Sequence, residues 1–184
     1  MIKEVLSDAE SRMKSTLHIL EEDLRGMRTG RASTGLVEKL HIDYYGTETP
    51  LYQLATLSAD VQTIFIRPFD RNTLNIIEKA ILQSDLGLNP SNDGTTIRLH
   101  LPPLTEERRR DLVKQMHKKL EESKVSIRNI RRSAIDDIRE IEKEKMASED
   151  ECKQGQEDAQ KLTDKYIHEI DDLGKRKEKE ILEF

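Results

Sequence analysis

Arg128, Arg131 and Arg132 follow one another at the i, i+3 and i+4 spacing that gathers side chains on one side of an α-helix. Lys124 and Arg139 lie on the same side of the stripe set by Ile127, Ile130 and Ala134. A guanidinium fork matches two phosphate oxygens at once, so the chemistry on offer is anion recognition rather than bond-making. The competing use of an arginine is pairing with acids on a neighbouring helix. Four arginines lie between 128 and 139, more than the adjacent Asp136 and Asp137 could neutralise. Arg132 falls about 160° around a helix from Ala134 and is expected to face solvent. Arg25, Arg28 and Arg31 form a second cluster, and Arg108, Arg109 and Arg110 a third.

Residues suited to catalysis are not arranged for it. The five histidines, His18, His41, His100, His117 and His168, are far apart in the chain. The sequence holds no H-E-x-x-H metal motif, phosphate loop or G-x-S-x-G elbow. Asp136-Asp137 and Asp171-Asp172 are adjacent pairs, but helical neighbours point about 100° apart and do not flank one substrate. They read as solvated helix faces. Cys152 stands near a helix start, where a thiol pKa can fall. No histidine is near it in sequence, and its spacing makes it part of an apolar stripe. The expectation is a protein that is no enzyme and takes no cofactor or metal.

Composition sets the kind of body that carries these groups. Of 184 residues, 36% are charged, 35% hydrophobic and 4% aromatic, with no Trp. Globular domains carry about 25% charged and 45–50% apolar residues. This chain is too polar for one thick core, whereas helices burying one stripe each need far less apolar surface. A net charge of −5 excludes a generic basic nucleic-acid binder of pI above about 9. Its distribution is uneven: residues 106–139 hold eleven Lys and Arg against seven acids, and residues 149–184 hold seven against twelve. One helix is basic and its partner acidic. Separate arginine clusters on a long body suit a structured RNA read by shape and backbone, and few aromatics argue against stacking on single strands. A single cysteine excludes a disulfide framework, and no apolar run approaches the ~18 residues of a membrane span. The first residues carry early acids and no apolar signal core. A cytoplasmic monomer without membrane contact is expected.

The elements that position the arginines follow from period. In residues 1–29, Leu6, Met13, Leu20 and Met27 recur every seven, flanked by Ile2, Ala9, Leu17 and Leu24, which predicts a helix stopped at Gly30. Leu40, Ile42 and Tyr44 alternate with polar residues before Gly46, a strand and turn. Val61–Ile66 predicts a second strand stopped by Pro68, Asp70–Ser84 a short helix, and Thr96–Leu101 a further strand. The 86–90 and 92–94 stretches are turn chemistry. Pro102-Pro103 closes this α+β segment, and Thr105 caps a long helix whose Val113, Leu120, Ile127, Ala134 and Ile141 recur every seven. Ser148-x-x-Glu151 is a capping box that starts another helix, with Cys152, Ala159, Tyr166 and Leu173 on its stripe. Three amphipathic helices in one chain satisfy one another as a bundle; an intermolecular coiled coil is the alternative. The architecture expected is α+β: a three-helix bundle from residues 1–29 and 106–184, with a small β/α/β domain at 31–104 inserted into it. The crossings at 29–31 and 102–105, with Thr29, Gly30, Arg31, Pro102, Pro103, Leu104 and Thr105, are expected to act as a hinge.

A series of specific segments runs along the chain: Arg28-Thr29-Gly30-Arg31-Ala32-Ser33, Tyr44-Tyr45-Gly46-Thr47, Glu78-Lys79-Ala80, and Ser84-Asp85-Leu86-Gly87-Leu88-Asn89-Pro90. Next come Leu101-Pro102-Pro103-Leu104-Thr105-Glu106-Glu107-Arg108-Arg109, then Arg128-Asn129-Ile130-Arg131-Arg132, Gln160-Lys161-Leu162-Thr163-Asp164 and Phe184. In this order these segments resemble the bacterial ribosome recycling factor family. The resemblance implies an L-shaped, tRNA-like protein with a bundle and a β/α/β domain on a flexible double linker. It further implies binding to the large (50S) subunit and its 23S rRNA in the 70S post-termination complex. Elongation factor G and GTP would then split the subunits and free mRNA and tRNA. The residues it marks for rRNA contact are Arg132, with Arg128 or Arg131 in support; the clusters add Arg28, Arg31, Arg109 and Arg110. Ser133 stands where the family often has an acid, which leaves the patch more positive. The alternative class is a non-catalytic helical adaptor or scaffold pairing with protein through the acidic third helix.

Overall fold

The chain runs α1 (Ile2–Arg25), β1 (His41–Tyr44), β2 (Thr47–Pro50), β3 (Ala55–Ala59), β4 (Thr63–Pro68), α2 (Leu74–Gln83), β5 (Pro90–Asn92), β6 (Ile97–His100), α3 (Glu106–Lys143) and α4 (Glu149–Glu183). This computed structural model describes residues 1–183; Phe184, one of the residues carrying the resemblance, lies outside them. Two compact units divide the chain. One holds Met1–Leu24 with Val113–Glu178; the other holds Arg25–Leu112 with the chain from Lys179 onward.

The first unit is a bundle of α1, α3 from Val113 onward and α4 as far as Glu178. Its buried side chains repeat the heptads: Met13 and Leu20 on α1, Leu120, Ile127, Ala134 and Ile141 on α3, and Cys152, Ala159 and Tyr166 on α4. Leu17, Val113 and Leu173, expected on the stripes, are only half-buried. Three residues of α4 that apolar periodicity does not flag are buried instead. Thr163 is fully buried with its hydroxyl donating to Ala159 O at 2.8 Å. Gly155 and Gly174 are buried on the same helix because neighbours occupy the space a Cβ would fill: Ile2 Cγ2 lies 2.7 Å from that point at Gly155, and Leu120 Cδ1 closer still at Gly174. Large side chains of α1 and α3 pack where α4 has none.

The helix predicted over 1–29 ends earlier. The chain leaves α1 after Arg25, at Gly26, four residues before the Gly30 taken as its stop. Glycine lowers helix propensity by about 1 kcal/mol, enough to end a helix whose next residues find burial elsewhere; Met27 and Thr29 are buried outside it. The turn between α3 and α4 is closed from both sides. Lys145, with φ 55°, ends α3: its N–H donates to Glu142 O and that of Met146 to Ile141 O, both at 3.0 Å. Glu151 N donates to Ser148 Oγ at 3.3 Å, and Ser148 N to Glu151 Oε2 at 2.9 Å, so the capping box forms as read.

In the second unit, Tyr45 (φ 49°) and Gly46 (φ 84°) make a two-residue turn between β1 and β2, the positive-φ geometry that matches strand twist. The main sheet is antiparallel in the order β3-β4-β6-β5. Ile64 and Ile66 of β4 and Ile97 and Leu99 of β6 point to one face and share a core with Ile77 and Ile81 of α2. Strands β2, β3 and β5 lie outside the elements expected from the sequence. β2 is Thr-Glu-Thr-Pro and β5 is a three-residue edge starting on proline, so neither shows apolar alternation; β3, Ala-Thr-Leu-Ser-Ala, alternates, but only Ala55 is buried and Leu57 half-buried, a short and weakly apolar signal.

Candidate nucleic-acid interface

Helix α3 buries Ile127, Ile130, Ala134 and Ile138, which turns the arginines away from the core. Arg132 is exposed; Arg128 and Arg131 are half-buried. Neither Arg128 nor Arg132 has a hydrogen-bond or ion-pair partner among the described residues, so both forks are open to a ligand. Arg131 Nη1 donates to Gln160 Oε1 of α4 at 2.9 Å. Arg139 stands 3.6 Å from Asp136, an exposed pair of small energetic weight. Lys124 is the correction to the expected patch. Its Nζ lies 2.6 Å from Asp171 and 3.3 Å from Glu121, with only 15% of the side chain exposed. The Asp171 hydrogen bond, opposed in part by burial, raises its pKa. This cation is neutralised within the bundle.

The other arginine clusters are differently employed, in the second unit. Arg28 Nη2 donates to Pro102 O at 2.6 Å, and Arg109 Nη1 to Leu182 O at 3.2 Å. The Nε atoms of both are buried without a partner. Desolvation, then the charge of Arg108, lowers the Arg28 pKa. Arg110 pairs with Glu106. Arg31 is exposed, and its backbone N–H donates to Thr29 Oγ1 at 3.3 Å. Along the crossings, Thr29 and Leu104 are buried, while Pro102, Pro103 and Thr105 are exposed. Thr105 caps α3 by accepting from Arg108 N at 3.2 Å. Gly30 is half-buried.

The groups set aside as non-catalytic are engaged structurally. His18, His117 and His168 sit 3.4 to 3.8 Å from single carboxylates on exposed surface. Cys152 is fully buried against Ile138 and Ile141 rather than activated; desolvation, with Glu142 and Glu151, pushes its thiol pKa up. No group of three potential metal ligands occurs among the described residues, and none of the described helices is long and apolar enough to cross a membrane.

The family model described as "Ribosome recycling factor" matches residues 20–182. The chain belongs to the ribosome recycling factor family. It is 54% identical over 184 residues to the ribosome-recycling factor of Thermomicrobium roseum, and 52% identical over 184 residues to that of Symbiobacterium thermophilum, covering all of each. Among solved structures, it matches a solution structure of a ribosome recycling factor with TM-score 0.80 and 46% identity, covering 100% of this chain and 98% of that one. It also matches, with TM-score 0.71 and 46% identity over 99% of both chains, a T. thermophilus ribosome recycling factor described with E. coli elongation factor G on the E. coli post-termination complex. The α+β fold of helical bundle and small sheet domain is therefore that of ribosome recycling factors. Within this family member, the 128–132 motif forms the open arginine face of α3, and the 160–164 motif supplies the residue that Arg131 touches. Arg131 and Gln160 stand 29 residues apart on different helices, and nothing in the local spacing of the two motifs links them.

Proposed function

We propose that this chain recycles post-termination ribosomes in the cytoplasm: it binds the large subunit as a monomer through rRNA and, with elongation factor G and GTP hydrolysis by that partner, splits the subunits. The observation that carries the proposed contact is the open pair Arg128 and Arg132 on a helix whose Lys124 is already neutralised. Two unpaired forks hold phosphate oxygens, whereas a face closed by ion pairs would not. Arg131 completes the patch; Arg28, Arg31, Arg109 and Arg110 add charge at the crossings. Residues 1–29 and 106–184 would act as one body and 31–104 as another, pivoting at 29–31 and 102–105. Elongation factor G would push the smaller body, and the bundle would bear on the contacts between subunits. The GTPase supplies the free energy, so this chain needs no nucleotide site.

A subunit-splitting assay with post-termination ribosomes, elongation factor G and GTP tests the reading. Light scattering should fall only when all components are present. Co-sedimentation with isolated large subunits should be salt-sensitive. Absence of both, with retained binding to protein partners through α4, would establish the adaptor class instead.

A further inference from the structure

Arg131 is the one arginine of the 128–132 motif held by the neighbouring helix, and what holds it is uncharged. Gln160 Oε1 accepts from Arg131 Nη1 at 2.9 Å, and Gln160 Nε2 donates to Asp164 Oδ1 at 2.8 Å. All three residues belong to the bundle unit. Asp164 accepts only, so it fixes the polarity of the amide: the reversed amide would set its NH2 against the guanidinium and its carbonyl against the carboxylate. The Gln160 oxygen is thereby presented to Arg131. A carboxylate at position 160 would make a direct ion pair, as Asp171 does with Lys124 at 2.6 Å. The amide supplies a hydrogen bond without cancelling the charge.

We propose that Gln160, oriented by Asp164, is a positioning residue for phosphate contact by Arg131, fixing the guanidinium while leaving its charge available to RNA. This rests on the reading that the α3 arginines bind rRNA. The geometry is economical. One Nη1 hydrogen is spent on Gln160, and the other four N–H donors of the guanidinium remain for a ligand. Because the amide lies on α4, the Arg131 fork is held relative to two helices rather than one. A side chain with several rotatable bonds loses less freedom on binding when its end is already restrained.

The test is a double-mutant cycle on the full chain, reading affinity for isolated large subunits across a salt series together with the melting temperature. Arg131→Ala should weaken binding about tenfold and lower the slope of log affinity against log salt by about one. Gln160→Met, which keeps the length without the amide, should weaken binding about threefold with slope and melting unchanged. Gln160→Glu should weaken it about tenfold, lower the slope, and leave melting the same or higher, because the new ion pair occupies Arg131. In the Arg131→Ala background, Gln160→Met should have no further effect. Gln160→Glu should cost about twofold there, the residue of simple repulsion from RNA. If Arg131→Ala leaves binding unchanged, the rRNA-contact reading fails. If it weakens binding while Gln160→Met and Gln160→Glu act equally in both backgrounds, the positioning role is overturned and that reading stands.

Discussion

Arg28 Nη2 donates to the carbonyl oxygen of Pro102 at 2.6 Å, joining two segments 74 residues apart in sequence. The bond ties one chain crossing to the other. It is made by a guanidinium that is partly desolvated and beside Arg108, both of which oppose its charge. A cation kept there against those costs restrains the segments where the proposed hinge lies. Arg28→Ala should speed amide exchange at 28–32 and 101–105 about fivefold, matching a partly exposed hydrogen bond of about 1 kcal/mol. Exchange in the bundle core should not change. Identical exchange in both proteins would show that the tie restrains nothing.

Arg132 is exposed and has no partner among the described residues. Arg132→Ala should therefore shift stability by no more than about 0.5 kcal/mol. Large-subunit affinity should fall about ten- to a hundredfold, the worth of a charge-assisted contact. Lysine should restore part of the loss, since it keeps charge but not the fork. The salt slope should drop by about one in the alanine protein. Lower melting with an unchanged slope would place Arg132 in the structure rather than the contact.

Lys145 occupies a left-handed conformation, φ 55°, at the end of α3. An L side chain there is disfavoured by roughly 1–2 kcal/mol, part of which glycine loses again to unfolded-state entropy. Lys145→Gly should stabilise the protein by about 0.5–1 kcal/mol. At the other side of the same turn, Ser148→Ala removes the cap of α4 and should cost about 1 kcal/mol. Urea midpoints should move in opposite directions.

Tyr166 is buried, and its hydroxyl donates to Glu10 Oε1 at 3.2 Å. Desolvation first, then Glu10, pushes its pKa from 10 up to about 12. The unfolded phenol ionises near 10 while the folded one stays neutral. The stabilisation is thus complete below pH 10 and is lost as pH rises toward about 12. The loss should be about 3 kcal/mol at most. Tyr166→Phe should be less stable than the parent at pH 8 by about 1 kcal/mol, with the gap closing or reversing by pH 12. Lys124 is common to both proteins, so the difference isolates the phenol.

Much of this architecture is written locally. Heptads at Leu120, Ile127, Ala134 and Ile141 follow from the helical repeat, and the Ser148–Glu151 box marks a helix start, because both depend only on spacing along a few turns. The spacing of Arg128, Arg131 and Arg132 likewise determined that they share a face. Which cations of α3 keep an open charge is decided by tertiary structure. Lys124 is closed by Asp171 on another helix, while Arg131 meets an amide 29 residues away. Gly174 is invisible to a hydrophobic period, yet it is the point where Leu120 fills α4's missing side chain. Strand β2, Thr-Glu-Thr-Pro, owes its existence to pairing with β1, Thr49 opposite Ile42, rather than to its own pattern. Periodicity reports which side of an element is apolar. Charge compensation, close approach and edge pairing depend on groups distant in sequence, and only the fold brings those within reach.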